Sequence, residues 1–191
     1  MFQTTDTLPA SEEEKARYEL HQNDDTDEGY VRWLTSFINS SVIPWYKQGS
    51  VLDFGSGPQA VLTDLLRDRD YPVYSYDPYF SDRWPEEGEP FSLILMCEVL
   101  EHVNDPAEVF RRLFSVSAEG AVISLKTAFL PSSGQVGDFK GWWYRQDITH
   151  IRFYNPQSLK VLGENSGWKL IRQDGKSLAV YEKSSPHKGA L

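Results

Sequence analysis

Apolar positions fall in two alternating rhythms along the chain. Four short runs, VLDF (51–54), PVYSYD (72–77), SLILMC (92–97) and AVISLK (121–126), have the length and apolar content of buried strands. Between them the spacing changes to that of helices. PQAVLTDLLRD follows the first run as a helix. DPAEVFRRLFSV follows the third, with Asp105 as its cap, Pro106 at its first position and Glu108 three residues on. AVISLK is introduced by Glu119-Gly120. This alternation predicts an α/β chain with a doubly wound, mostly parallel sheet. HIRFY reads as a short strand or turn, and Asn155-Pro156 starts a helix that ends near Gly167. WKLIRQD and SLAVYEK then read as two strands joined at Asp174-Gly175, a hairpin signal that puts an antiparallel strand at the sheet edge.

The amino end has a different pattern. Ser11 followed by Glu14 forms a capping box, and EEEKARYELHQ continues as a polar helix. The run NDDTDE breaks it, and Asp27 caps a second helix. In that helix Tyr30, Trp33, Leu34, Phe37 and Ile38 share one face, which suits packing on the main domain or over a pocket mouth. Pro44 ends the element. The expected division is a helical extension over 1–45, one main domain over 46–185 and a tail over 186–191. The length, 191 residues, suits that single domain.

Composition narrows the function. The net charge of −9 sets up a field that repels phosphate backbones and anionic lipid, so neither nucleic acid nor membrane is expected as a partner. One cysteine, Cys97, excludes an internal disulfide and fits a reducing, cytoplasmic setting. There is no membrane-length apolar run and no signal-peptide pattern. The four histidines and Cys97 lie far apart, with no metal-ligand spacing, so no metal is expected. Oligomeric state is not encoded in any visible pattern.

The stretch VLDFGSGPQ (51–59) carries the most chemistry. Asp53 stands at the end of a strand, and Gly55 and Gly57 follow before a helix. Such a turn lets backbone approach a ligand closely and presents N–H groups to it, at the sheet end where open α/β folds bind ligands. A dinucleotide fingerprint needs a third glycine where Ala60 stands, and nothing resembles a P-loop. A glycine-rich turn without a ligand is the remaining reading. As written, the stretch resembles motif I of the class I S-adenosyl-L-methionine (SAM) dependent methyltransferases. Asp77 ends the second strand, where an acid can accept bonds from both ribose hydroxyls, and Pro78, Tyr79 and Phe80 follow it.

Three more segments extend the resemblance over about residues 50 to 183. FSLILMCEVLEHVNDP resembles the post-strand motif of a subgroup that includes ubiquinone-biosynthesis O-methyltransferases. GAVISLKT and DITHIRFYNPQSLKVLGENSGWKL resemble its fifth strand and its T-H-x-x-F/Y segment. The resemblance implies a Rossmann-like fold with SAM as cofactor. It implies that Asp53, Gly55 and Gly57 meet the methionine end, that Asp77 holds the ribose, with Pro78 and Tyr79 next to it in the cofactor site, that the backbone around Cys97 and Glu98 lies beside the cofactor, and that His102 lies close to the same pocket. Glu101 starts a helix near the pocket. Cys97 reads as a small buried hydrophobe, and His102 also reads as a helix-start residue bonded to backbone.

One departure stands out. Only about fifteen residues separate Asp77 from SLILMC, too few for the helix, third strand and adenine-side acid that the fold usually has there. Tyr79, Phe80 and Trp84 are the candidates to cover an adenine instead. The loop DFKGWWYRQDITH has two readings. In one it is the acceptor wall, with His150 as base, Tyr144 beside it, and Trp143 and Arg145 on the substrate. In the other it seals the core, with Arg145 paired to Asp147. Tyr18, His21 and Asn23 read as a lid or as plain surface helix. The resulting expectation is methyl transfer to a small-molecule acceptor, by subgroup analogy at oxygen. The rivals are a SAM or adenosine-ligand binding protein without turnover and a nicotinamide-dependent oxidoreductase.

Overall fold

A computed structural model describes residues 2–3, 25–85, 90–132 and 136–184. The helix expected from Ser11, the residues Tyr18, His21 and Asn23, and the tail lie outside the described residues. The elements run β1 (Phe2–Gln3), α1 (Glu28–Ser41), β2 (Ser50–Phe54), α2 (Val61–Arg67), β3 (Val73–Tyr76) and β4 (Phe91–Cys97). Then come α3 (Pro106–Ser115), β5 (Ser117–Lys126), α4 (Val136–Gly141), β6 (Arg152–Phe153), α5 (Pro156–Glu164), β7 (Trp168–Gln173) and β8 (Leu178–Lys183).

Six strands form the main sheet in the order β3-β2-β4-β5-β8-β7. β2 is parallel to β3 and β4, and β4 to β5, while β8 runs antiparallel to both β5 and β7. The doubly wound, mostly parallel sheet is therefore present, closed by an antiparallel hairpin. Successive β4 residues face opposite ways, as strand geometry requires. Leu93 and Leu95 meet α1 and α2 through Leu34, Phe37, Ile38, Leu62 and Leu66. Ile94 and Met96 meet Phe110, Leu113 and Leu159 on the other face. Both faces are covered, so the strands are near-continuously apolar rather than alternating.

Local sequence signals decide most helix ends. Asp27 caps α1 by accepting from the N–H groups of Gly29 and Tyr30. Asp105 accepts from Glu108 N–H at 2.9 Å. Asn155 and Ser158 cap α5 reciprocally. Helix α2 differs from expectation. It begins at Val61 rather than Pro58, because Ala60 takes a left-handed conformation at φ 47 that a helix cannot include. VLEHV makes one 3-10 turn, Leu100–His102, instead of entering a helix directly. β5 starts at Ser117. Its register jumps from Phe91↔Ser117 to Leu93↔Val122, so Glu119-Gly120 bulges within the strand rather than opening it. HIRFY supplies β6, which pairs antiparallel with β1.

Among the described residues, Tyr76 and Phe91 are separated by no strand, only by the bridge Asp77↔Ser81. β3 is accordingly the edge of the sheet. At the opposite edge α5 packs against the hairpin, where Tyr181 donates to Leu159 carbonyl at 3.1 Å and Trp168 Nε1 donates to Phe110 carbonyl at 3.0 Å. Gly163 makes this contact possible. A Cβ there would lie 2.7 Å from the Trp168 carbonyl oxygen and from the Tyr181 ring. Gly163→Ala should therefore destabilise by about 1–3 kcal/mol through overpacking. A thermal unfolding scan checks this, and an unchanged midpoint would mean that the hairpin yields freely.

Candidate functional site

A cavity of about 560 Å³ opens at the carboxyl ends of β2, β3 and β4. The chain passes from β2 to β3 on one side and then from β3 back across to β4 on the other. The cavity thus lies at the topological switch point, where open α/β sheets hold ligands. Its floor is the β2–α2 turn from Phe54 to Val61. One wall is Tyr76 to Phe80. The other is Cys97 to Val99 with His102, Val103 and Asn104. Tyr30 and Trp33 from α1 lie over it, and Asp147 and His150 approach from the later loop.

The floor owes its shape to two glycines. Gly55 has φ +79, and a Cβ on it would meet Val99 Cγ2 at 2.4 Å, so the turn after β2 sits tight against the turn after β4. Gly57 has φ +70 with open space where a Cβ would be, so its backbone is bare toward the cavity. Asp77 joins floor to wall. Its carboxylate accepts from Gly57 N–H at 3.0 Å and from Tyr79 N–H at 2.9 Å.

The sequence-derived residues divide into two groups. Gly55, Gly57, Asp77, Pro78, Tyr79, Cys97, Glu98, His102 and His150 all line the cavity. Asp53 does not. It is buried beneath the turn, where Thr63 Oγ1 donates to it at 2.7 Å. A strand places alternate side chains on opposite faces, and Asp53 faces α2 rather than the ligand side. Tyr144 is also turned inward. It is 2% exposed and donates to Glu98 at 2.7 Å, so it stands behind the wall instead of on it. Trp143 is 69% exposed, and Arg145 places its guanidinium 5.4 Å from the Phe139 ring, so neither reaches the cavity. The 3-10 turn Trp143–Gln146 accounts for both. Three residues per turn send Tyr144 in and its neighbours out. Trp84 packs edge-on against Phe54 and Tyr76 under the Arg112 guanidinium, leaving Tyr79 and Phe80 as the nearer aromatics.

Val109 and Arg112 from α3 also line the cavity, and neither is among the sequence-derived candidates. Their i, i+3 spacing on the helix that follows the VLEHV segment is the signal that identifies them.

Acids are concentrated here. Burial pushes the Asp53 carboxyl from 3.8 up to about 6, against the Thr63 hydrogen bond. Burial and then the nearby Glu101 carboxyl push Glu98 up to about 8. Glu98 also has φ 55, rare outside glycine, as it turns the chain out of β4. Burial and then Glu98 push the Cys97 thiol well above its usual pKa. Among the described lining residues, Asp77 and Asp147 oppose a single arginine, Arg112. That balance suits a ligand carrying positive charge and disfavours a pyrophosphate.

Asp53 makes a pH prediction. Its folded pKa is raised, so its favourable contribution is complete below about pH 3.8 and is lost as pH rises through about 6. At pH 7.5 the ionised, buried group costs about 3 kcal/mol. Asp53→Asn keeps an acceptor for Thr63 without the charge. The melting temperature of the cofactor-free variant should therefore gain on the parent as pH rises from 5 to 7.5. A difference that is constant with pH would show that Asp53 is not the buried anion described.

Comparison with known proteins gives a family. A family model described as a methyltransferase domain matches residues 22–173. No curated protein matches the sequence. Among solved structures, an O-methyltransferase family protein from Burkholderia thailandensis superposes with a TM-score of 0.64 at 12% identity, covering 90% of this chain and 63% of that one. A structure of the complex between the Haloferax volcanii Trm112 methyltransferase activator and a putative methyltransferase gives a TM-score of 0.62 at 10% identity, covering 90% and 97%. CalO1, a methyltransferase of calicheamicin biosynthesis solved in its SAH-bound form, gives 0.51 at 14% identity, covering 80% and 55%. At these identities the likeness is one of fold. The chain spans only 55–63% of the length of several of these structures.

Proposed function

The chain belongs to the methyltransferase domain family, in the class I SAM-dependent fold, and from that premise we propose that it transfers a methyl group from SAM to a small-molecule acceptor. The observation that carries this is the switch-point cavity with a bare glycine floor at Gly57, a carboxylate at Asp77 and an acidic, aromatic lining. SAM, when bound, supplies an electrophilic methyl on a sulfonium. The residues fit it. Gly55 and Gly57 give room to its amino-acid end, their own N–H groups being donated to the Tyr76 carbonyl and to Asp77. Asp77 retains lone pairs for ribose hydroxyls beside the two N–H groups that it already accepts. Tyr79 and Phe80 offer aromatic faces to the base. Asp53 supports this end indirectly by holding Thr63 and the turn.

The acceptor then belongs between the cofactor and the His102–His150 pair, whose rings meet edge-on with centroids 4.7 Å apart. His150 Nδ1 donates to the Tyr144 carbonyl at 2.6 Å, and His102 Nδ1 donates to the Thr149 carbonyl at 3.0 Å. Both rings are thereby fixed in one tautomer and orientation. His150 is the group proposed to handle an acceptor proton. Tyr144 is a positioning residue that holds Glu98. Trp143 and Arg145 belong outside the cavity, where a large acceptor or a partner would have to reach them. Oxygen as the acceptor atom rests on the likeness of VLEHV and its neighbours to the ubiquinone-biosynthesis subgroup; the matched family model does not name that subgroup. The closing work of the protein is alignment and water exclusion, and Tyr30 and Trp33 over the cavity serve the second.

Two outcomes test this reading. SAH should bind in the micromolar range, about −8 kcal/mol. Asp77→Ala should weaken it by about 1–3 kcal/mol, the range for a hydrogen bond to a charged group. Calorimetry with full affinity in that variant would remove Asp77 from the cofactor site. His150→Ala should keep SAH affinity but lower turnover roughly 10²-fold with an acceptor found by labelled-methyl transfer to a metabolite pool. Parental turnover in a folded variant would exclude it. Tight SAH binding with no transfer to any pool would favour a binding protein instead.

A further inference from the structure

The base end of the cavity lacks a group that adenine calls for and carries one that it does not. The 6-amino group of adenine is a donor, so a site that selects for it needs an acceptor beside it. Among the described residues the lining acids are Asp77, Glu98 and Asp147. Asp77 accepts from the N–H groups of Gly57 and Tyr79 and is the ribose group of the reading above. Tyr144 donates to Glu98, and the Thr149 N–H and hydroxyl donate to Asp147, so both belong to the acceptor side. No described carboxylate is left for the base. The lining amides, Gln59 and Asn104, donate and accept alike and favour no particular purine.

Arg112 stands at this end instead. It lines the cavity from α3, and its guanidinium carbon lies 3.9 Å from the centroid of the Trp84 ring. Trp84 packs edge-on against Tyr76 and Phe54, with centroids 4.9 Å and 6.4 Å away. The ends of β3 and β2 thus fix the ring, and the ring fixes the guanidinium. Tyr74 Oη donates to the Arg83 carbonyl at 2.8 Å, which ties down the segment that carries Trp84. Stacking uses the face of a guanidinium and leaves its in-plane N–H donors available at the edge. Glu108, one turn earlier on α3, is taken by Arg111. Among the described residues no carboxylate pairs with Arg112. Tyr76 begins the wall that ends at Phe80, so Arg112 lies by the aromatic faces assigned to the base.

We propose that Arg112 reads the purine base of the cofactor by donating to acceptors on its N7 edge, so that the site does not select for the 6-amino group. A guanidinium donates and cannot accept. Adenine offers it N7 beside an amino group that also donates. A 6-oxopurine offers N7 and O6 side by side, a match for two parallel N–H bonds. The ligand class is a purine nucleoside carrying the amino-acid sulfonium or thioether, with hypoxanthine accepted at least as well as adenine. This inference rests on the SAM reading of the cavity and concerns only which base that cavity tells apart.

The test is calorimetry on the full-length protein with SAH and with S-inosyl-L-homocysteine, in which oxygen replaces the 6-amino group. The parent should bind the inosyl compound at least as tightly as SAH. Arg112→Met should weaken the inosyl compound about tenfold or more and SAH by less, so the ratio of the two affinities falls. Arg112→Lys keeps the charge without the fork and should lower the ratio as well. If Arg112 only covers Trp84, Arg112→Met lowers the melting temperature and leaves the ratio unchanged, which overturns the proposal. Weaker binding of the inosyl compound than of SAH by the parent also overturns it, since the site then reads the amino group. If Arg112→Met fails to fold by circular dichroism, the parental ratio and Arg112→Lys decide. SAH binding with the wrong ratio sinks this inference alone, whereas a parent that binds neither compound sinks the SAM reading and this inference with it.

Discussion

Asp77 accepts one backbone N–H from the turn after β2 and another from the turn after β3. Those two bonds hold neighbouring strand ends at fixed separation, and the cavity depends on them. Gly55 does the same job toward β4 by sterics rather than hydrogen bonding, since only a residue without Cβ fits against Val99. A central strand is thus tied to both of its parallel neighbours at the carboxyl end. The remaining elements follow from that arrangement. α1 and α2 cover one face, α3 and α5 cover the other, and the β7–β8 hairpin closes the far edge. Loops can vary around this frame because the strand ends are fixed by backbone bonds.

Local signals made much of the frame legible. Caps at Asp27, Asp105 and Asn155, proline at the first helical position, the Asp174-Gly175 turn and the apolar strand runs each act within a few residues, so a sequence carries them directly. The shortened path from Asp77 to Phe91 was likewise countable. What sequence did not carry was direction. Asp53 sits in a binding motif yet faces Thr63, because strand alternation decides its side. Tyr144 and Trp143 are adjacent and chemically alike, but one is buried and the other exposed, by the phase of a single 3-10 turn. The bulge at Gly120 is set by pairing with β4, distant in sequence. The meeting of His102 with His150 is longer-range still.

The electrostatics of the site run against the stability of the cofactor-free fold. Asp53, Glu98 and Glu101 are all acids whose pKa burial raises, and all lie at the carboxyl end of the sheet. A net charge of −9 adds diffuse repulsion. Replacing these groups with apolar residues of similar volume would relieve the penalty, as it does for buried ion pairs. Their retention beside a cavity is therefore better explained by a ligand than by the fold. A cationic sulfonium bound as proposed near Glu98 and Asp77 would lower the cost of their ionisation.

That coupling has a thermodynamic consequence. A ligand that binds only the folded chain stabilises it by RT ln(1 + [L]/Kd), about 2.7 kcal/mol at a hundredfold excess over Kd. Where the same ligand also removes part of a burial penalty, its binding energy already includes the relief of that strain. Affinity and stability then share one source. Removing a buried acid should then give a more stable protein that binds its ligand less well, whereas removing an apolar contact such as Trp168 against Phe114 should weaken the fold without a compensating gain. The division between these two classes of residue follows the sheet. Acids gather at the carboxyl ends of β2 and β4, and the unrelieved apolar packing lies across the middle of the strands and under the hairpin. Function and stability are therefore placed at different levels of the same sheet, and the glycine turn after β2 is where they meet.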